Sequence, residues 1–149
     1  MRKSYMKSLE KNLRSQSQLK SYEIKLNKLE DIYELFEKWE INFSIAYLNY
    51  LYFHNNKISE SELNELIKNP TPISGSFQKM MALLNIHFPE LEEEYKKVNL
   101  ARSEVVKYMK IEKSINIQNF VQAQEDFEKV SKKFKKQISL LAKKNKEII

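Results

Sequence analysis

Five carboxylates, Glu30, Asp31, Glu34, Glu37 and Glu40, step along one stretch of this chain, and a second acidic group, ELEEE, covers Glu90–Glu94. Acids at helical spacing are one way to hold a divalent cation that activates water. On a single helix, the same spacing also builds an ordinary solvated face. The other candidate ligands are two histidines, His54 and His87. Neither belongs to an HxxxH or Glu-x-x-His pair, the spacing that sets two ligands on one helix face in di-metal bundles. A single His at a helix end acts as a partner for the helix dipole. With no cysteine in the chain, thiolate metal sites and disulfides are excluded, and transition-metal binding is not expected.

A Mg²⁺-dependent nucleotide hydrolase of all-α type would need EExxE on one helix and a distant ExxD. EDIYE (residues 30–34) imitates the first half. QEDFEK (residues 124–129) offers Glu125, Asp126 and Glu128 at the wrong spacing for the second. There is no Gly-rich phosphate loop, Walker motif or nucleophile elbow. The chain reads as non-enzymatic, with no cofactor and no metal.

Cations are the next chemistry. The net charge is +6, nearly all of it lysine, with Arg2, Arg14 and Arg102 the three arginines. Residues 1–20 hold six cations against one glutamate, residues 21–54 hold three against six acids, and residues 129–146 hold eight lysines and no acid. Clustered cations bind phosphates with little sequence preference and strong salt dependence. This makes nucleic acid the alternative partner, contacted through Lys3, Lys7, Lys11, Arg14, Lys132, Lys133, Lys136, Lys143 and Lys144. At 100° per residue, however, the lysines of the last segment spread around the whole arc opposite Phe127, Phe134 and Leu141, as on a solvated helix face.

INFSIAYLNYLYF, Ile41 to Phe53, is uncharged and contains five aromatics. As a helix it is about 20 Å long, against roughly 30 Å of bilayer hydrocarbon, so it is not a span and a membrane partner is not expected. No Lys or Arg is interleaved with its aromatics, as single-strand binders require. Phe43, Tyr47 and Tyr50 continue the apolar phase of the preceding residues and are expected in the core. Ile45, Leu48, Leu51 and Tyr52 fall on other faces, which predicts a helix covered nearly all round. If they are left uncovered, Leu48, Leu51 and Tyr52 become a self-association surface.

The elements that position these groups are helices. There is one glycine, Gly75, and there are three prolines, Pro70, Pro72 and Pro89. From Leu19 the apolar positions step by three and four through Tyr22, Leu26, Leu29, Tyr33 and Phe36 to Tyr50, a sustained helical period. A helix from about Ser4 to Phe53 is expected, with residues 1–18 either frayed or a projecting extension. Ser59 and Glu62 have capping-box spacing, with Ile58 and Leu63 placed for the hydrophobic staple. KNPTPISGS is the clearest loop. Further helices are expected over about 59–68, 76–87, Pro89–Lys110 and 119–146, with a turn near Ser114–Asn116.

The expected fold is all-α: one domain over residues 1–149, an up-down-up-down four-helix bundle with a long first helix and one leg broken into two short helices. Glu40 and Arg102 interrupt the apolar phases of the first and fourth helices and are expected to pair. No apolar signal segment follows the basic start, so a cytoplasmic protein is expected. The expected function is protein–protein interaction, with a protein partner or a homo-oligomer.

Overall fold

The computed structural model describes residues 2–68, 76–112 and 114–147, and every regular element among them is helical. The fold is all-α. The helices are α1 (Arg2–His54), α2 (Glu60–Lys68), α3 (Ser76–His87), α4 (Glu92–Val106, entered through a 3₁₀ turn at Pro89–Leu91) and α5 (Ile117–Glu147).

No glycine or proline interrupts residues 2–54, and α1 runs unbroken for 53 residues, about 80 Å at 1.5 Å per residue. Its end is built by Asn56, which takes a positive φ of 60°. The Lys57 N–H bonds the Tyr52 carbonyl at 2.8 Å and the Asn56 N–H bonds that of Phe53 at 3.0 Å. This is a Schellman closure with asparagine at the left-handed position. The chain restarts at once. Ser59 Oγ accepts the Glu62 N–H at 3.1 Å and Glu62 Oε1 accepts the Ser59 N–H at 3.3 Å, the reciprocal capping box its spacing predicts. Most of the expected KNPTPISGS loop, residues 69–75, lies outside the described residues.

Helix α4 ends at Val106, short of the expected Lys110. There the N–H groups of Tyr108 and Met109 turn to the carbonyls of Val105 and Val106, three residues back. His54, at the end of α1, donates from Nε2 to the Tyr108 carbonyl at 3.2 Å, two residues past the helix end, where the Lys110 N–H also bonds it. Asn116 caps α5, its Oδ1 accepting the Asn119 N–H at 3.0 Å.

Aromatic pairs give the helix directions. Phe36 meets Phe134 (4.8 Å between centroids), Phe43 meets Phe127 (4.7 Å) and Tyr47 meets Phe120 (4.8 Å), so α1 and α5 are antiparallel. Tyr95 meets Phe134 and Tyr108 meets Phe120, so α4 is also antiparallel to α5. The α2–α3 leg starts beside the end of α1 and finishes with His87 3.4 Å from Lys28, running back along α1. Helices α1 and α5 share the packing: α4 packs mainly on α5, and α2, α3 and α5 pack on α1.

Most of the core is one cluster, with Phe36, Phe88, Phe120, Phe127 and Phe134 among its fully buried side chains, and Phe53 and Leu63 are buried outside it. It does not extend along all of α1. Residues 2–21 are exposed throughout, a free helical arm about 30 Å long. Residues 1–18 were expected to be frayed or a projecting extension, and residues 2–18 project: continuing the register of Phe36 with Phe134, α5 ends level with about residue 23.

Candidate interaction surface

The side of α1 carrying Phe36, Phe43 and Tyr47 meets α5. Leu29, Ile32 and Phe36 are buried in the same cluster as Met80 and Leu84 of α3. At 100° per residue, Ile41, Ile45, Leu48 and Tyr52 fall on the opposite side. They are exposed by 58%, 51%, 41% and 47%. The expectation that INFSIAYLNYLYF is covered nearly all round is therefore corrected. Tyr47 is buried and Phe43 and Tyr50 pack against the core, but among the described residues no other helix reaches the outer face. Both short helices pack on α1, α2 burying Leu63 and α3 burying Met80 and Leu84.

Of the three residues named for self-association, Leu48 and Tyr52 lie on this outer stripe. Leu51 does not: it is half-buried against the core, about 100° around the helix from Tyr52. Ile45 is expected off the core face with Leu48 and Tyr52 but is not among the three residues named, and Ile41 is not assigned a face by the sequence reading. Angular position relative to Phe36 and Tyr47 would have placed both.

The candidate phosphate contacts are strung out along the molecule. Lys3, Lys7, Lys11 and Arg14 are exposed on the free arm, while Lys132, Lys133, Lys136, Lys143 and Lys144 are exposed on α5. In the α1–α5 register, Lys143 lies level with about residue 27, so roughly 20 Å of helix separates it from Arg14. Lys132 and Lys136 lie level with the acidic part of α1. The cations are thus not gathered into one patch. Between the two groups an open hollow of about 400 Å³ is lined by Lys20, Lys25, Lys28 and His87 among others, and Lys28 Nζ approaches His87 Nδ1 at 3.4 Å.

Glu40 and Arg102 do not pair. Lys135 of α5 donates to Glu40 Oε1 at 2.9 Å, with Glu37 at 3.9 Å. Arg102 donates from Nε to Asn99 Oδ1 on its own helix at 3.2 Å. The reason is topological: α5 takes the position beside α1 that the expected pair assigned to α4. Burial weakens the Lys135 ammonium, but the Glu40 hydrogen bond and the carboxylate charges outweigh it and hold its pKa above the usual lysine value. Burial raises the Tyr47 phenol, helped by Glu128 and Glu125. It also raises Tyr95, against the lowering effect of Arg102.

Among the described residues no group of three His, Asp or Glu side chains could hold a metal ion, and no helix is long and apolar enough to cross a membrane. Compared with known proteins, the chain matches no family, no curated protein and no solved structure.

Proposed function

We propose that this chain is a non-catalytic helical protein that works by protein–protein association, first of all with itself. One observation carries the reading: the apolar stripe Ile41, Ile45, Leu48 and Tyr52 on the water-facing side of α1. Scattered exposed leucines are ordinary, but a contiguous row at helical spacing on an otherwise packed helix is a docking feature. Its surroundings agree. From Ile41 to Asn56 the chain carries no acid, lysine or arginine, so the rim imposes no charge barrier.

The test is light scattering over a wide concentration range at low and high salt. The expected result is a discrete oligomer that survives high salt and is lost in Ile45→Asp. A monomer at all concentrations, or association unchanged by Ile45→Asp, rejects the reading.

A second reading has its own observation. Lys3, Lys7, Lys11 and Arg14 are exposed on the free arm, and none is ion-paired among the described residues. This supports salt-sensitive binding of a nucleic-acid backbone. Mixed oligonucleotides at low salt would then raise the mass of a monomer, and Lys7→Glu with Lys11→Glu would abolish the gain.

A further inference from the structure

Two features of α1 are unexplained by the fold of a single copy. The arm, residues 2–21, is a lone helix carrying Met6, Leu9 and Leu13 exposed, although isolated helices of this length are marginal in water. The stripe from Ile41 to Tyr52 is equally uncovered. We infer that each covers the other in a second copy: α1 pairs antiparallel with its own counterpart about a two-fold axis at Asn27, and the arm of one protomer lies on the stripe of the other. This inference rests on the self-association reading and adds its register.

Registration follows from residue types along the outer face of α1. With Asn27 on the axis, residues equally far before and after it meet. Leu13 then meets Ile41, Leu9 meets Ile45 and Met6 meets Leu48, so the apolar residues of the arm match those of the stripe layer by layer. Arg2 comes over the face of Tyr52, a cation–π placement. Nearer the axis, Lys20 meets Glu34 and Gln16 meets Lys38. All of these positions are exposed, Asn27 included. The side chains that join α1 to α3 and α5 lie on its opposite side, and among the described residues the outer face is left clear for a second copy.

Charge and area favour this occupant over others. The arm carries six cations and one acid, and in this register it comes to lie along residues 33–52, which hold three acids and one lysine; Glu34 is the acid on the facing side, while Glu37 and Glu40 turn to Lys135. The alternative of stripe on stripe buries the apolar row but leaves both arms bare. Reciprocal docking instead covers seven large side chains per copy, each exposed by 41–58%. That is roughly 700–800 Å² per protomer, the size of a standard specific interface. One contact opposes the register: Glu23 meets Asp31, twice by symmetry, and this makes a specific test possible.

The chain has no cysteine, so single introduced thiols report position cleanly. Asn27→Cys should cross-link to a covalent dimer under mild oxidation, because residues facing across the axis come within disulfide reach. A mixture of Leu9→Cys and Ile45→Cys should give the mixed dimer, and Ile45→Cys mixed with Leu48→Cys should not. Adding Leu9→Asp to Asn27→Cys should abolish the cross-link, with circular dichroism confirming that the core stays folded. Asp31→Lys should tighten the dimer about tenfold by replacing two like-charge contacts with opposite ones. A dimer that cross-links through Ile45→Cys with Leu48→Cys but not through Asn27→Cys overturns this register while leaving self-association standing. A monomer at all concentrations overturns both, including one that binds only oligonucleotides or anionic vesicles of phosphatidylserine through its arm.

Discussion

Removing the Lys135 ammonium should reveal how α1 is locked to α5. Lys135 Nζ lies 2.9 Å from Glu40 Oε1, and the side chains are only 22% and 18% exposed. Surface pairs contribute about 0–1 kcal/mol, and breaking a fully buried pair costs about 3–5 kcal/mol because a charge is stranded. A pair four-fifths buried, with Glu37 as a second acceptor site, falls between them. Lys135→Met should therefore cost about 2 kcal/mol, a considerable share of the roughly 5–15 kcal/mol that holds a domain together. Glu40→Gln should cost less, about 1 kcal/mol, since the amide oxygen still accepts from Lys135 and Glu37 remains near. The double variant should then cost clearly less than the two single losses together, with a coupling of about 1 kcal/mol. Urea unfolding of all four proteins, read by Trp39 fluorescence and helical circular dichroism with unchanged m values, measures this. At this chain length, Lys135→Met should lower Tm by about 4–8 °C. A coupling below about 0.3 kcal/mol, the ordinary scatter of additivity, would show that the contact contributes nothing and that burial was misjudged. The control is Glu40→Gln with Arg102→Ala, whose effects should simply add.

Phe127→Ala removes a ring that meets both Phe43 and Trp39; it should cost about 3–5 kcal/mol in urea unfolding, and a loss under 1 kcal/mol would contradict the packing. Asn56→Gly should stabilise by a few tenths of a kcal/mol to about 1 kcal/mol and Asn56→Val should destabilise, because the position has a positive φ of 60°; equal midpoints for the two would refute the Schellman end. Lys135, Tyr47 and Tyr95 all have raised pKa values, so the folded state holds these protons more tightly than the unfolded one. The stability this contributes is present below the ordinary values near 10 and is lost as pH rises through the folded ones. The urea midpoint should fall above about pH 10, less so in Lys135→Met, and a midpoint flat to pH 12 would exclude it.

Much of the fold was legible in the residues. The absence of glycine and proline before Pro70 allowed one long helix, and its three-and-four apolar steps named Leu29 and Phe36 as core. Ser59 with Glu62 announced the start of α2, and Asn116 capped α5 where a turn was expected. These are local properties, in which a backbone N–H is satisfied by a side chain three residues away and no distant partner is needed. Where α4 ends was not legible, because no glycine or proline marks the stop and the turn just past it is held by His54, 54 residues earlier.

The surface was only half legible. Period and phase determine that Ile41, Ile45, Leu48 and Tyr52 share a face, but not whether another helix lies on it. That depends on where α2, α3 and α5 pack, which is a matter of tertiary contact. In the same way, sequence marks Glu40 as a charge breaking an apolar phase and requires a partner for it. Only the assembled structure decides that the partner is Lys135 and not Arg102, since neutralising a largely buried carboxylate depends on which cation is within about 3 Å. The chain thus determines its helices, their apolar faces and their ends from within. Which faces are covered is settled by packing between segments far apart in sequence, and the side of α1 left uncovered is where association is expected to occur.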